Sequence, residues 1–364
     1  MSKDVCRWGI LGTAGIARKN WQAIRLSGNG QLVAVGSRTE ARAAEYIDEN
    51  QAQVAHNPPP RPMADYDAMI AADDIDALYL PLPTGVRKEY VLKAAAAGKH
   101  VLCEKPCGVD AAEVEEMVAA CKEAGVQFMD GVMFMHNDRL AALKHELDRG
   151  EAVGDIKRIA SQFSFLAPED FFEGNIRVDS KLEPLGCLGD LGWYCIRIAL
   201  WTLDYELPFS LRAHFIRLSG GSDGVPVSLS AEITFADGVT ASFYCSFETE
   251  HQQWVNISGT KGHIVVPDFV LPFHGPETAF EVEQAHFETN LCRFHMERHS
   301  RRVATHEHSD SHATAQETRL FRRFGELVLG GEPDSHWPEI ALKTQRVVDA
   351  CMASAQNGGS ETTL

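Results

Sequence analysis

The segment WGILGTAGIARK, residues 8–19, passes from an apolar run through a turn of small residues into a helical pattern. A strand, a glycine-rich turn and a helix form the arrangement that holds a dinucleotide pyrophosphate in doubly wound α/β folds. In the fingerprint G-x-G-x-x-G/A, Gly12, Ala14 and Ala17 occupy the three fixed positions. Ala14 replaces the second glycine, whose role we expect Gly15 to share. The residues expected to contact a dinucleotide here are Gly12, Thr13, Ala14, Gly15 and Ile16. A plain strand–turn–helix is the alternative that this segment alone leaves open.

Short apolar runs alternate with alanine-rich helical runs as far as about residue 130. Strands are predicted at Arg7–Leu11, Leu32–Ser37, Ala77–Leu80, His100–Cys103 and Gln127–Asp130. Helical patterns separate them, and Ala111–Ala124 is the longest. Continuous apolar strands alternating with helices indicate a parallel sheet covered on both faces. We therefore predict a Rossmann-type dinucleotide-binding domain over residues 1–130.

The pattern changes after Gly131. Strand-like alternation is predicted at Ile156–Phe165, Leu211–Arg217, Ser228–Phe235, Val239–Phe247, Gln253–Ser258 and Gly262–Val266. Turn residues separate several of these runs, as in Ala236-Asp237-Gly238, so a large, open and mostly antiparallel sheet is expected. Helices are predicted near Gly189–Leu203, Ala315–Leu329 and Pro338–Met352. Residues 131–364 then form a second α/β domain for substrate binding and oligomerisation, and its last helices pack back on the first domain.

Length and composition agree with two folded domains. The chain has 364 residues, 45% of them hydrophobic, and 34 basic against 51 acidic residues give a net charge of −17. This charge disfavours nucleic acid or an anionic membrane as a partner. The sequence contains no apolar run long enough to span a membrane and no pattern of a signal peptide. Nine scattered cysteines without a CxxC pair fit reduced thiols, so a cytoplasmic protein is expected.

The end of the second strand distinguishes between two nicotinamide cofactors. An NAD site has an acidic residue there to bind the ribose 2′-hydroxyl. This strand instead ends in Gly36-Ser37-Arg38-Thr39. Ser37 can donate a hydrogen bond to a 2′-phosphate, and Arg38 can pair with that phosphate or stack on adenine. NADP is therefore favoured over NAD, with a solvated surface arginine as the alternative role for Arg38.

Two further segments carry candidate catalytic groups. Lys105, in Cys103-Glu104-Lys105-Pro106, follows a strand at the carboxyl edge of the sheet, where ligands bind in such folds. Asp190 and Tyr194 are four residues apart and would share one helix face. A tyrosine has an ordinary pKa of about 10, and a neighbouring ammonium stabilises its anion. Tyr194 could then exchange a proton with a substrate hydroxyl while Lys105 assists. The alternatives are a surface lysine, an N-cap aspartate and a core tyrosine.

Four segments taken together resemble the glucose–fructose oxidoreductase / inositol dehydrogenase / rhizopine catabolism (Gfo/Idh/MocA) family. They are ILGTAGIA (residues 10–17), LYLPLPT (Leu78–Thr84), AAAAGKHVLCEKP (Ala94–Pro106) and GCLGDLGWYCIR (Gly186–Arg197). They occur in the family's order and span most of the chain. The resemblance implies a Rossmann domain followed by a C-terminal α/β domain with a large open antiparallel sheet.

The resemblance also implies roles for single residues. Lys105 would contact the nicotinamide ribose and the substrate, and Tyr194, where inositol dehydrogenases have histidine, would be the acid–base group. Asp190 would orient the substrate, and Arg177 resembles a substrate-loop arginine. The residues expected along the cofactor are Leu80, Pro81, Pro83, Glu104 and Lys105. Two positions depart from the family pattern: Arg87 stands in place of a frequent histidine, and Met135 and His136 stand where an arginine is usual.

A polar stretch near residue 300 is rich in histidine. His295 and His299 have the i, i+4 spacing of a helical metal site, but arginines surround them and would repel a divalent cation. We expect a solvated loop or the rim of the substrate cleft there, and no metal.

The sequence therefore predicts an NADP-dependent oxidoreductase that transfers hydride between nicotinamide and a secondary or anomeric hydroxyl of a sugar-like substrate. A trans-dihydrodiol dehydrogenase and a sugar–sugar oxidoreductase that retains its cofactor are the alternatives within this class. A non-catalytic NAD(P)-sensing regulator is the alternative from another class. The resemblance implies a homodimer or homotetramer, with the active site between the two domains.

Overall fold

A computed structural model describes residues 5–221 and 224–364, which form two compact units. The first unit contains residues 5–136, 179–184 and 310–346. The second contains residues 137–178, 185–309 and 347–364. The two-domain division expected from the sequence, 1–130 and 131–364, stays a prediction.

The first unit is built on a six-stranded parallel sheet with the strand order β3-β2-β1-β4-β5-β6. Its strands are β1 Cys6–Leu11, β2 Gly30–Gly36, β3 Arg61–Met63, β4 Ala77–Leu80, β5 His100–Cys103 and β6 Phe128–Asp130. The connecting helices are α1 Gly15–Ser27, α2 Glu40–Gln53, α3 Tyr66–Ile70, α4 Thr84–Ala96 and α5 Ala111–Glu123. This order places the β1 and β4 ends side by side at the point where the connections change direction, which is where doubly wound sheets bind ligands. The predicted parallel Rossmann-type sheet is confirmed.

The core of the first unit includes helices from both ends of the chain. The indole of Trp8, in β1, has no exposed surface and lies 5.0 Å from the rings of Phe321 and Phe324. Both phenylalanines belong to the first of two late helices. The late helices are α9 Gln316–Gly330 and α10 His336–Gln356. Aromatic contacts of this size make α9 an integral part of the first unit's core.

The second unit contains a nine-stranded sheet with the order β14-β13-β12-β11-β7-β10-β9-β8-β15. Its strands are β7 Ile156–Leu166, β8 Ser210–Leu218, β9 Pro226–Thr234, β10 Thr240–Ser246, β11 Glu248–Gly259, β12 His263–Val266, β13 Thr278–Asn290, β14 Arg293–Thr305 and β15 Thr362–Thr363. Its helices are α6 Arg139–Asp148, α7 Phe171–Gly174 and α8 Trp193–Thr202. Every pairing is antiparallel except β7 with β10, so the predicted mostly antiparallel sheet is confirmed.

The stretch expected to be a loop or a cleft rim is instead a long β-hairpin. β13 and β14 have 13 residues each and pair from Thr278–Thr305 to Asn290–Arg293. The prediction of a loop was wrong: Phe280-Glu281-Val282-Glu283 and Phe294-His295-Met296-Glu297 alternate apolar and polar residues as strands do, but the turn between the two strands has no glycine to indicate a hairpin. Across the described ranges, no helix is both long and apolar enough to cross a membrane.

Candidate active site

The turn between β1 and α1 has the features of a pyrophosphate-binding loop. Gly12 has φ of +121°, a conformation that favours glycine, and its N–H donates to the carbonyl oxygen of Gly36 at 3.0 Å. Ala14 precedes α1 with an extended backbone and gives the helix no side-chain cap. Around Gly15, no atom of the described residues lies within 4 Å of the point that a Cβ would occupy. Backbone N–H groups at an uncapped helix start, with room beside them, suit a bound phosphate.

A polar cluster follows β2 next to this turn. The Thr13 and Ser37 hydroxyl oxygens are 3.4 Å apart, and Arg42 Nε donates to Thr13 Oγ1 at 3.2 Å. Thr39 caps α2 by accepting the N–H of Arg42 at 3.3 Å. Thr13, Thr39 and Arg42 line a depression of about 530 Å³. The cluster fits a phosphate group with both hydroxyl and guanidinium donors.

The charges of Arg38 and Arg42 both affect Tyr66, next to this cluster. Burial raises the pKa of Tyr66, while the positive charges of Arg38 and Arg42 oppose that rise, so both guanidinium groups act on the same side chain. Arg38 was predicted from its place at the strand end, whereas Arg42 was missed. Its signal was present in the sequence: it lies in the first turn of the helix after Arg38. No acidic residue interrupts Ser37-Arg38-Thr39.

The loop after β4 is held by a buried arginine. β4 ends at Leu80, and Pro81, Leu82 and Pro83 lead into α4. Arg87 Nε donates to the Leu82 carbonyl at 3.0 Å, and Nη1 donates to the carbonyl groups of Glu104, at 2.6 Å, and of Pro106. The arginine therefore joins the β4 and β5 loops. This assigns a structural role to the position where the resemblance had suggested histidine.

Glu104 is a buried carboxylate beneath the Lys105 backbone. The Tyr79 hydroxyl donates to Glu104 Oε1 at 2.6 Å, and the Lys105 N–H donates to Glu104 Oε2 at 3.2 Å. Burial raises the pKa of Glu104, and the Tyr79 hydrogen bond and the charges of Lys105 and Arg87 oppose that rise. Both oxygens are engaged within the protein, so Glu104 fixes the backbone that carries Lys105.

The start of α4 is capped by a distant carboxylate. Glu183 accepts the Thr84 hydroxyl at 2.6 Å and the Thr84 N–H at 3.1 Å, and the Gly85 N–H donates to the Leu182 carbonyl at 2.9 Å. A carboxylate at a helix start satisfies free N–H groups and interacts favourably with the helix dipole. Glu183 was not predicted, because the 99-residue separation leaves no local signal.

In the second unit, Asp190 and Tyr194 lie on consecutive helical segments. Asp190 is within a π-helical turn, Leu188–Gly192, and Tyr194 is the second residue of α8. The alternative of Asp190 as a simple N-cap is wrong, because Gly192 holds that position and Asp190 is already inside a helical turn. Tyr194 is partly exposed and packs edge-on against Phe163, with 5.5 Å between ring centroids.

Asp190 is joined to the predicted substrate-loop arginine. Arg177 lies in a short 3₁₀ turn, Ile176–Val178, and its Nε donates to Asp190 Oδ2 at 2.7 Å. The Asp190 side chain is 18% exposed and that of Arg177 is 43% exposed. The pair thus combines a carboxyl group and a guanidinium at a partly accessible position, a combination that can bind several hydroxyl groups.

The histidines near residue 300 are arranged on a strand. His295 Nε2 and His299 Nε2 lie 2.9 and 3.1 Å from the two oxygens of Glu297, all three on β14. Within residues 5–221 and 224–364, no group of three or more histidine, cysteine or acidic side chains has the arrangement of a metal site.

Comparison with known proteins identifies the family. Residues 6–132 match the description "Oxidoreductase family, NAD-binding Rossmann fold" of the Gfo/Idh/MocA family, and residues 140–265 match its C-terminal domain. A D-xylose 1-dehydrogenase (NADP⁺) from Haloferax volcanii is 30% identical, with 97% of this chain and 98% of that protein covered. A trans-1,2-dihydrobenzene-1,2-diol dehydrogenase from Bos taurus is 29% identical, with 70% and 72% covered.

A solved structure extends the comparison to three dimensions. A mutant of a 3-ketoreductase from Actinomadura kijaniata, in complex with TDP-benzene and NADP, superimposes with a TM-score of 0.80. It is 25% identical, with 97% of this chain and 98% of that chain covered. Together with the parallel sheet, the dinucleotide turn and the mostly antiparallel second sheet, these matches show that the chain belongs to the Gfo/Idh/MocA family of oxidoreductases.

Proposed function

We propose that this protein is an NADP-dependent oxidoreductase that acts on a secondary or anomeric hydroxyl group of a sugar-like substrate, or on the matching carbonyl compound. The observation that carries the cofactor assignment is the cluster of Thr13, after β1, with Ser37 and Arg42, after β2, next to Arg38 in the sequence. Four donor side chains and no acid at this strand end suit a 2′-phosphate better than a bare 2′-hydroxyl. Two relatives, a D-xylose 1-dehydrogenase (NADP⁺) and a 3-ketoreductase solved with NADP, support the same class of oxidoreductase.

The chemistry divides between the cofactor and three side chains. NADP, when bound, supplies the acceptor or donor of the hydride. In the oxidative direction, we assign Tyr194 to take the hydroxyl proton as the carbon–hydrogen bond breaks, which leaves a carbonyl product. The Lys105 ammonium would stabilise the tyrosinate, and the Glu104 carboxylate holds the Lys105 backbone in place. The proton and the hydride together account for the two hydrogens lost by the substrate.

Asp190 and Arg177 form the proposed substrate-orienting pair. The carboxylate can accept hydrogen bonds from sugar hydroxyl groups, and the guanidinium both donates to the substrate and holds Asp190 in place. Holding the reacting carbon in one orientation accounts for a large part of catalysis in such reactions. A ring with several hydroxyl groups offers more partners to this pair than a simple alcohol does.

The test is a substrate panel read by NADPH absorbance, with aldoses, ketoses, polyols and trans-dihydrodiols as substrates. We expect turnover with a sugar and a loss of at least about a hundredfold in Tyr194→Phe, while NADP affinity stays within twofold. Tyr244→Phe is the matched control, because Tyr244 lies on the second-unit sheet and bonds Ser228 and Thr249. Full activity in Tyr194→Phe would rule out the assignment.

The same panel separates the alternatives. Turnover with dihydrodiols but not sugars would identify a dihydrodiol dehydrogenase. NADP released only on denaturation, after extensive dialysis, would identify a cofactor-retaining sugar–sugar oxidoreductase. Absence of turnover on every substrate, with NADP still bound and a stable protein partner recovered, would favour the non-catalytic regulator.

We also propose a cytoplasmic, homo-oligomeric enzyme. All nine cysteines are free thiols, eight of them buried, and the Cys245 thiol donates to the Cys187 sulfur at 3.7 Å instead of forming a disulfide. Unbonded thiols at this distance fit a reducing compartment. Mass measurement by light scattering and thiol titration of the freshly purified protein test the two statements separately.

A further inference from the structure

A row of buried polar side chains crosses the core of the first unit and ends at the Lys105 backbone. Asn20 lies on α1, Tyr79 on β4, and Glu104 directly after β5. Tyr79 has no exposed surface, and the exposed fractions of Asn20 and Glu104 are 1% and 7%. The rest of β4 is apolar, so these polar groups lie within an otherwise apolar layer. We call Asn20, Tyr79 and Glu104 the relay.

The hydrogen bonds of the relay run in one direction, from α1 to Lys105. Burial raises the pKa of Tyr79 well above its ordinary value, so the hydroxyl keeps its proton, while the hydrogen bond that Asn20 donates to it opposes that rise. The Tyr79 hydroxyl donates to Glu104 Oε1 at 2.6 Å. The Lys105 N–H donates to Glu104 Oε2 at 3.2 Å. The relay thus connects α1, whose start suits a bound phosphate, to the peptide group that carries Lys105.

Asn20 contributes to the relay through its amide N–H groups. Its oxygen, Oδ1, is buried and has no hydrogen-bond partner among the described residues. A buried polar atom without a partner costs about 1–3 kcal/mol, whereas an apolar side chain carries no such cost. Stability by itself therefore favours an apolar residue at this position. The benefit of the amide is the hydrogen bond that it donates to Tyr79.

The carboxylate of Glu104 occupies space that a glycine leaves open. A Cβ atom on Gly131, directly after β6, would lie 3.0 Å from Glu104 Oε1 and 3.2 Å from Oε2. The Gly131 backbone is itself fixed, because its N–H donates to the Cys103 carbonyl at 2.7 Å. The carboxylate is therefore confined between Gly131 and the Tyr79 hydroxyl. As a result, the Lys105 N–H meets an acceptor whose position is fixed.

Arg87 holds the same turn through its carbonyl groups. Arg87 is 2% exposed, and its Nη1 donates to the carbonyl groups of Glu104, at 2.6 Å, and of Pro106. Lys105 is half-buried between these two buried neighbours. Its peptide is thus held at the N–H by the relay and at the flanking carbonyl groups by Arg87. Such a hold has catalytic value, because a displacement of about 1 Å at a reacting group costs roughly a hundredfold in rate.

From these contacts we propose that Asn20 and Tyr79 are positioning residues for Lys105. Through Glu104 they fix the backbone from which the Lys105 ammonium acts in the proposed proton transfer. Both side chains are buried in the core of the first unit, so they act through Glu104 and touch neither substrate nor cofactor. The inference rests on the proposed roles of Lys105 and Tyr194. Without the relay, Lys105 is held less firmly and stabilises the tyrosinate less.

The pH dependence of kcat in the oxidative direction tests the relay. kcat falls at low pH, where Tyr194 is protonated, and the midpoint of this fall reports how well Lys105 stabilises the tyrosinate. In Tyr79→Phe and in Asn20→Ala, we expect the midpoint to rise by about one pH unit and kcat at pH 7 to fall roughly tenfold. A merely structural role would lower kcat equally at every pH. Tyr46→Phe is the matched control, because the Tyr46 hydroxyl is also buried in the first unit but has no hydrogen-bond partner among the described residues.

Hydrogen exchange of the cofactor-free protein gives a readout that does not depend on activity. Exchange of the Lys105 amide, followed by mass spectrometry of peptides that contain it, should be about tenfold faster in Tyr79→Phe and unchanged in Tyr46→Phe. Tyr79→Phe keeps the ring that packs edge-on against Phe321 at 5.6 Å, so the core is preserved. The variant Asn20→Ala/Tyr79→Phe should resemble Tyr79→Phe alone, because Asn20 acts through the tyrosine hydroxyl.

The outcomes separate the relay from the proposed function. Full activity in Tyr194→Phe would overturn the proposed function, and the catalytic role of the relay with it. If Tyr194→Phe is inactive, an unshifted midpoint together with unchanged amide exchange in Tyr79→Phe would overturn the relay alone. So would an equal shift of the midpoint in Tyr46→Phe, or effects of Asn20→Ala and Tyr79→Phe that simply add. A shifted midpoint with faster exchange in Tyr79→Phe, and neither in Tyr46→Phe, would support it.

Discussion

Replacing Arg42 by alanine tests the cofactor assignment at a residue that the sequence alone did not identify. Arg42 Nε is held by Thr13 Oγ1 at 3.2 Å, and Thr13 lies 3.4 Å from the hydroxyl of Ser37. If this cluster binds a 2′-phosphate, Arg42→Ala should lower the affinity for NADP. The affinity for NAD should stay almost unchanged, because NAD carries no phosphate at that position. Preference between the cofactors is therefore the quantity to measure.

The size of the effect follows from the exposure of the side chain. A hydrogen bond to a charged group contributes about 1.5–3 kcal/mol when it is well shielded from water. Arg42 is exposed, so we expect a smaller contribution, about 1–2 kcal/mol, since solvent screens its charge. This corresponds to a rise of roughly 5–30-fold in the dissociation constant for NADP. For NAD the change should stay below twofold.

Calorimetric titration with NADP and NAD at fixed ionic strength measures both constants. Arg61→Ala is the control, because the Arg61 side chain, 41% exposed, also lies in the first unit but pairs with Asp74. Thr13→Val should reproduce part of the loss of NADP affinity seen in Arg42→Ala. The double variant should lose less binding free energy than the sum of the two single variants, because the two side chains are hydrogen-bonded to each other. Equal losses for NADP and NAD, or no loss for either, would refute the reasoning.

Three other substitutions have defined outcomes. Tyr79→Phe removes a donor from the buried Glu104 carboxylate and should lower the free energy of unfolding by about 1–3 kcal/mol in urea titrations. Because burial raises the pKa of Glu104 in the folded state, its ionisation opposes folding, and this loss should grow as pH rises above the ordinary glutamate pKa. Glu183→Gln weakens the cap on Thr84 and α4, with an expected loss of about 0.5–2 kcal/mol in the same titrations. Asp190→Asn should lower kcat/KM for the sugar about 10–100-fold in steady-state assays without changing NADP affinity.

Each of these outcomes has a control or a contradicting result. Tyr244→Phe removes a tyrosine hydroxyl outside the buried carboxylate site and should not reproduce the pH-dependent loss. If Tyr79→Phe lowers the free energy of unfolding by the same amount at every pH between 4 and 8, the role given to Glu104 is contradicted. An unchanged free energy of unfolding in Glu183→Gln would show that the cap contributes nothing to stability. A loss of NADP affinity in Asp190→Asn would place that residue at the cofactor instead of the substrate.

The sequence determined the elements that depend on local patterns. Most strand and helix positions in the first 130 residues, the turn at Gly12 and the absence of an acid after β2 are readable from neighbouring residues; the short edge strand β3, Arg61–Met63, in a proline-rich stretch, was not predicted. Buried strands and the helices that cover them have regular spacings of apolar residues, and these spacings can be recognised in the sequence before the fold is known. Six strands of the second sheet, β7 to β12, were predicted for the same reason.

Tertiary structure alone decided the contacts between distant residues. Tyr79 meets Glu104 because β4 and β5 are neighbours in the sheet, and Glu183 reaches α4 across 99 residues. The hairpin of β13 and β14 was not predicted because residues 284–302 are exposed on both faces and its turn has no glycine, so neither burial nor a turn residue indicates that the two strands pair there. Local periodicity records which face of an element is buried, whereas the partner of a polar side chain depends on chain packing, which no local pattern encodes.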